Sequence, residues 1–282
     1  MKKKFKMIPE GSMFRVEALR NFGLVKKGDV GGLIENECNL SHDGNSWVYD
    51  NARIYGAAKV YGNAVISGNA QVFDNAVVYG NARVHDDAKV YCDAVIFGNA
   101  QVWNDAQVFD KAEVYDNAWI SDKAKVYGKA EVFDNVRVSE KAVIYGNAKI
   151  TNKAKVYGRA KVFDDAVVYD NAIVYEKAKV YGDARIYDSA QVYGEAIVFG
   201  NARVYGTAEI CDSAEVCSNA DYIVFKNWWS SGRYFTWTRS NNKWKVGCFF
   251  GSGEELIKKA YSDSEEKGKE YERVVRYVES IC

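Results

Sequence analysis

Between Ala52 and Ala220 the chain repeats a six-residue frame without a slip. Of the 29 positions reached from Ala52 in steps of six, all are Ala except Val136, and the 28 positions from Ile54 to Val216 are all Val or Ile. An internal repeat this strict decides the architecture before local propensity does. The unit reads as in Ala58-Lys59-Val60-Tyr61-Gly62-Asn63. In an extended segment successive side chains alternate faces. The Ala and the Val or Ile two residues later therefore point inward, while the residue between them and the aromatic that follows point outward. The remaining pair, Gly or Asp and then Asn, Asp or Lys, tolerates the left-handed conformation, so the chain turns there.

Sorting the aromatic position by threes separates three columns, which a plain six-residue period would not do. The first runs Tyr55, Phe73, Tyr91 and on to Phe199, aromatic throughout, before Cys217. The second runs Tyr61, Tyr79, Phe97, Tyr115 and on to Tyr205, interrupted by Thr151. The third opens polar, with Ser67, His85, Trp103, Ser121 and Ser139, and then turns to Tyr157, Tyr175, Tyr193 and Cys211. Three distinguishable faces imply a coil of 18 residues. The repeat then makes a little over nine coils, a prism roughly 45 Å long at about 4.8 Å per coil. Val136 puts extra volume where Ala is the rule, and a local bulge is expected there.

The frame resembles the hexapeptide repeat of left-handed parallel β-helices, whose three flat sides form a triangular coil. The resemblance implies a mainly β protein with that handedness, and the domains divide as 1–46, a lead that caps the open end, 47–220, the β-helix, and 221–282, a small α+β cap domain. In the lead, Phe14–Arg20 reads as a strand or a short helix, and Lys26–Gly32 as a glycine-rich turn. In the tail, residues 222–225, 233–238 and 243–250 read as three strands. The capping box Ser252-Gly253-Glu254-Glu255 then opens one helix, and a second runs from about Glu265 to Ile281, giving a βββαα order.

The lead motifs Arg15-Val16-Glu17-Ala18-Leu19-Arg20-Asn21-Phe22, Lys27-Gly28-Asp29-Val30-Gly31-Gly32 and Trp47-Val48-Tyr49-Asp50 resemble those of YdcK-like bacterial and phage hexapeptide-repeat proteins. The tail, with Gly247-Cys248-Phe249, Gly251-Ser252 and Tyr271, is similar to a small domain found in prophage versions. The resemblance implies a phage or prophage context and no established activity. In that tail family a Ser-Arg pair and a His recur. Here Ser231-Gly232-Arg233 matches the pair while Tyr261-Ser262-Asp263 stands where the His is expected, so Ser231, Arg233 and Cys248 form only a partial ligand site.

Charge changes the functional picture. Lys+Arg and Asp+Glu are 38 each, which leaves no net positive charge to argue for nucleic acid or an anionic membrane. No segment approaches the roughly 18 apolar residues of a membrane span, and the basic start lacks the apolar stretch of a signal peptide. A cytoplasmic protein is expected. The six cysteines show no CxxC spacing, so reduced thiols are expected, with no metal and no cofactor.

Many enzymes of this fold are trimeric acyltransferases with a catalytic His and a projecting loop. This chain has two histidines, His42 before the regular repeat and His85 in the third column, and no insertion between Ala52 and Ala220. The leading expectation is therefore a non-enzymatic scaffold that binds another protein, with a host defence component as a concrete partner, and that self-associates. Acyl transfer through His42 or His85 is the second expectation. The candidate contact surface is the outward rings Tyr55, Phe73 and Tyr91 on one face and Tyr61, Tyr79, Phe97 and Tyr115 on another, because large aromatic patches mark interfaces.

Overall fold

The computed structural model describes residues 3–227 and 231–281. It begins with a hairpin of β1 (Phe5–Glu10) and β2 (Met13–Ala18), and β2 pairs antiparallel with β3 (Val30–Ile34). Residues 14–18 are thus strand, and β1 is an element the sequence pattern did not announce. β3 also lies parallel to the first repeat strand, with Leu33 opposite Arg53 and Ile34 opposite Ile54. Of the glycine-rich stretch, only Gly28, at φ +93°, lies in the left-handed region. Gly31 and Gly32 lie inside β3, where a Cβ would stand 2.4 Å from the Val48 carbonyl oxygen and 2.6 Å from that of Ala52. The strand runs against the first coil closely enough that only glycine fits.

The solenoid therefore starts before residue 47. Ile34 pairs with Ile54, Leu40 bridges to Val60, and Val48 pairs with Ile66. From Leu40 to Val48 the chain takes two residues more than the six-residue frame allows, and this extra length carries His42. Residues 33–46, read from sequence as part of the lead, make two sides of the first coil. The cap proper buries Phe5, Val16, Ala18 and Phe22 against Trp47.

From there each strand pairs in parallel with the strands 18 residues before and after it, as Val60 with Val78 and Val84 with Val102. Three parallel sheets result, holding every inward Ala, Val and Ile from Ala52 to Val216 at 0–1% exposure. Ala is needed next to the corner, where the three walls converge, and the β-branched residue fills the middle of each wall. At Val136 the sheet keeps its register. Trp119 N–H still donates to the Val136 carbonyl at 2.9 Å, and Trp119 pairs with Arg137 without a shift. The expected bulge is absent because the extra methyls are taken up inside the core, where Val136 is fully buried.

The tail has four strands rather than three: β4 (Tyr222–Lys226), β5 (Tyr234–Thr238), β6 (Lys243–Val246) and β7 (Phe249–Gly251), consecutive and antiparallel. The stretch read as one strand over 243–250 folds back on itself because Gly247 adopts φ +56°. Helices α1 (Gly253–Asp263) and α2 (Glu265–Ile281) cover one side of this sheet, around Phe235, Trp244, Leu256, Tyr271 and Val275. Ser252 and Glu255 make the expected capping box. The module closes the far end of the solenoid by hydrogen bonds from the last coils, Glu209 N–H to Thr236 Oγ1 at 3.1 Å and Glu215 N–H to Ser240 Oγ at 2.7 Å. These satisfy strand-edge donors that would otherwise be open to pairing with another chain.

Candidate functional surfaces

The corners explain a choice the repeat leaves open. From Asp50 to Asp212 every first corner residue has positive φ, whether it is Gly62 at 70° or Asp116 at 55°. Where the corner is Asp, its carboxylate can accept from the corner N–H one coil on: Asp50 from Gly68 at 3.0 Å, Asp134 from Asn152 at 3.0 Å, Asp188 from Gly206 at 2.9 Å. Glycine removes the steric cost of the left-handed turn, and Asp offsets that cost with a charge-assisted bond to the next coil.

One corner carries an asparagine ladder. Asn45, Asn63, Asn81, Asn99 and Asn117 each donate their side-chain N–H to the amide oxygen one coil on, ending at Asn135. The 18-residue spacing of these asparagines was visible in the sequence but was masked by the Asn, Asp and Lys that share the second corner position. The ladder stops where Lys153 takes the next place.

On the first face the rings from Tyr55 to Phe199 form one unbroken stack, with centroids 4.8 Å apart at Tyr55 and Phe73 and 4.9 Å at Phe73 and Tyr91. On the second face Tyr61, Tyr79, Phe97, Tyr115 and Phe133 stack likewise, and Tyr169, Tyr187 and Tyr205 resume beyond Thr151. The candidate contact residues Tyr55, Phe73, Tyr91, Tyr61, Tyr79, Phe97 and Tyr115 are thus brought together in two columns. Most are half-buried by their neighbours, and Tyr61 is 39% exposed. Burial in the stack, reinforced by Glu131, pushes the Tyr115 hydroxyl up to about 12.

The third face departs from its polar reading. Ser121 is buried, while Trp119, in the column beside it, is 38% exposed. Trp119 meets Trp103 edge-on at 6.2 Å and holds the Arg137 guanidinium over its ring at 5.0 Å. Farther along, Tyr193 donates to Glu209 at 3.1 Å beside the buried Cys211, and Glu209 also pairs with Lys245 of the terminal module. Burial pushes the Cys211 thiol up to about 11.

His42 is locked into the cap. Its Nδ1 accepts the Lys4 backbone N–H at 3.1 Å, its Nε2 faces Glu37 at 2.9 Å, and its ring stacks on Phe5 at 4.3 Å. The first contact fixes the proton on Nε2, which donates to the carboxylate. Lys4 itself is fully buried, donating to the Ser46 carbonyl and hydroxyl, with its ammonium over Phe22. Desolvation, with Arg20 nearby, brings its pKa down to about 8. His85 directs Nδ1 to Asp86 at 3.0 Å and leans on Trp103.

In the tail, Ser231 Oγ accepts the Arg233 N–H at 3.3 Å, and the Arg233 side chain lies against Gly247, the residue before the exposed Cys248. The three candidate ligand residues therefore share one edge of the module. Cys38, Cys92, Cys211, Cys217 and Cys248 are free thiols. Among the described residues no three His, Cys, Asp or Glu side chains are placed to hold a metal, and no helix is long and apolar enough to cross a membrane.

A corner-stacked parallel coil of 18-residue turns, closed by an antiparallel module at one end, defines a β-solenoid repeat protein. The repeats are of a known kind: the family model described as YdcK Beta solenoid repeat matches residues 70–86, 178–194 and 190–206. The chain carries YdcK beta-solenoid repeats. No curated protein matches it.

Proposed function

We propose that this chain is a non-enzymatic scaffold that binds another protein through the outward columns of its first and second faces. The observation that carries this reading is the continuous ring stack from Tyr55 to Phe199, which holds large half-exposed side chains in one fixed column along the solenoid. Rings already ordered in the free protein lose little side-chain entropy when a partner covers them. Acyl transfer is disfavoured at His42, because a general base needs a free ring nitrogen directed at substrate and both of its nitrogens are engaged within the cap.

The narrower form of the proposal is a phage- or prophage-encoded inhibitor of a host defence component, acting in the host cytoplasm. It rests on the YdcK-like lead and the prophage-type tail. The test is capture of partners from host lysate by the wild type, by a variant with Tyr61, Tyr79 and Tyr115 all changed to Ser, and by a variant lacking both histidines. Capture and biological activity should survive loss of the histidines and fail in the triple Ser variant. Activity lost with the histidines in a folded protein would overturn the proposal in favour of chemistry.

A further inference from the structure

The neutral net charge conceals a segregated surface. The third face is bounded by two corners, and over the same coils those corners carry opposite charge in their outer columns. On the corner before the face stand Asp116, Asp134, Asn152 and Asp170, and level with them on the corner after it stand Lys123, Lys141, Arg159 and Lys177; the match ends one coil on, where Asp188 stands level with Glu195. Each residue is one 18-residue coil from the next, as the strand register requires. Asp134 and Lys141 therefore share a level, as do Asp170 and Lys177. Of the four cations only Lys177 has a carboxylate partner within 4 Å among the described residues, Glu195 at 2.7 Å.

The inner columns of the two corners are matched as well. The corner after the face carries Asp122, Glu140, Gly158 and Glu176, which with the cations line an open groove of about 790 Å³. Gly158 leaves a notch there, with Glu140 one coil below and Glu176 one coil above. The inner column of the other corner is Asn or a small hydroxyl residue from Asn63 to Thr207, with one exception. That exception is Lys153, which stands at the level of Gly158 and breaks the asparagine ladder.

We infer that the third face is the contact surface for a second copy of this chain, lying alongside with its axis parallel and pointing the same way. A two-fold axis parallel to the prism exchanges left and right without changing level. The outer acidic column then meets the partner copy's cationic column, and Lys153 enters the notch over Gly158 of the second copy, between its Glu140 and Glu176. Across the face the same operation sets Trp119 opposite Ser121, a bulky outward side chain against a small one, and Ile173 opposite Tyr175. A two-fold axis across the prism would instead set acid against acid and base against base. Charge arranged in this way selects partner and register more than it adds affinity.

The proposal is independent of partner capture by the first and second faces, and either can fail alone. It is tested by the mass of the purified protein in sedimentation at low and high salt. The wild type should be a dimer that weakens with salt, and Lys153→Glu should raise the dissociation constant at least about tenfold. A Glu140→Lys/Glu176→Lys variant should do the same, and mixing the two variants should restore a dimer, because both seams are then complementary. The mixing arm separates a lost contact from a lost fold. Lys111→Glu with Lys129→Glu, twice the change of charge of Lys153→Glu but placed on the remaining corner, should leave the dimer intact. A monomeric wild type, a dimer indifferent to Lys153→Glu, or mixed variants that stay monomeric would each overturn the inference.

Discussion

Asn117 donates to Asn135 at 3.4 Å, the longest step of a ladder whose other four measure 3.0 or 3.1 Å. The residue after Asn135 is Val136, the one inward position in its column that is not Ala. The extra methyls leave the strand register intact and coincide with the stretched corner contact beside them. Val136→Ala should therefore cost little, under about 1 kcal/mol, because relief at the corner offsets the lost burial. Val138→Ala, two residues on in the same coil and equally buried, should cost about 2 to 3 kcal/mol, as a cavity in a well-packed wall does. Chemical denaturation of the two variants checks the contrast, and equal losses would show that Val136 is ordinary core.

Asn99 accepts from Asn81 and donates to Asn117. Asn99→Ala should remove both bonds and leave Asn81 and Asn117 each without one partner. On an exposed corner, where water replaces part of what is lost, the expected cost is about 1 to 2 kcal/mol. Lys129→Ala, at the second position of a different corner and outside the ladder, should change stability by less than about 0.5 kcal/mol. Denaturant midpoints of the two proteins decide whether the ladder stabilises the coil or merely decorates it.

Glycine at the cap separates two physical demands. Gly28→Ala meets no atom within 4 Å and should cost only the left-handed conformation, on the order of 1 kcal/mol. Gly32→Ala sets its Cβ 2.6 Å from the Ala52 carbonyl and 2.7 Å from Val48, so the strand must leave the first coil, at a cost of about 3 kcal/mol or more. Hydrogen exchange at β3 and at Arg53–Ile54 should rise in the second variant and hold in the first.

These cases mark where the sequence speaks plainly and where it does not. The inward columns were legible because burial admits so few residues: Ala by the corner, Val or Ile in the wall. Sorting the rings by threes also yielded the 18-residue coil, since stacking couples each ring to its counterpart one coil away, as between Tyr55 and Phe73. The first coil was harder. Its two extra residues after Leu40 break the frame, and its glycines read as a turn although Gly31 and Gly32 are strand, because close approach of two backbones leaves no periodic trace. His42 looked like a candidate base by residue type, and only the Lys4 and Glu37 contacts reveal its structural use. Gly247, one residue inside an apolar run, was enough to turn one strand into two.

The half-buried ring ladders also set a limit at alkaline pH. In the folded chain the hydroxyls of Tyr115 and Tyr175 are pushed up to about 12 from the ordinary 10.0, in both cases chiefly by burial. The unfolded chain gives up these protons first, so it binds fewer protons than the folded one across that interval. Their contribution to stability is whole below about pH 10 and is lost as pH rises through about 12. Denaturation midpoints taken from about pH 9 upward should fall most steeply in this window. Replacing both residues with Phe keeps the ring stacks and removes the titrating groups, so the decline should flatten while the midpoint at neutral pH changes little. A Phe variant that declines as steeply as the wild type would place the alkaline sensitivity elsewhere than in these two rings.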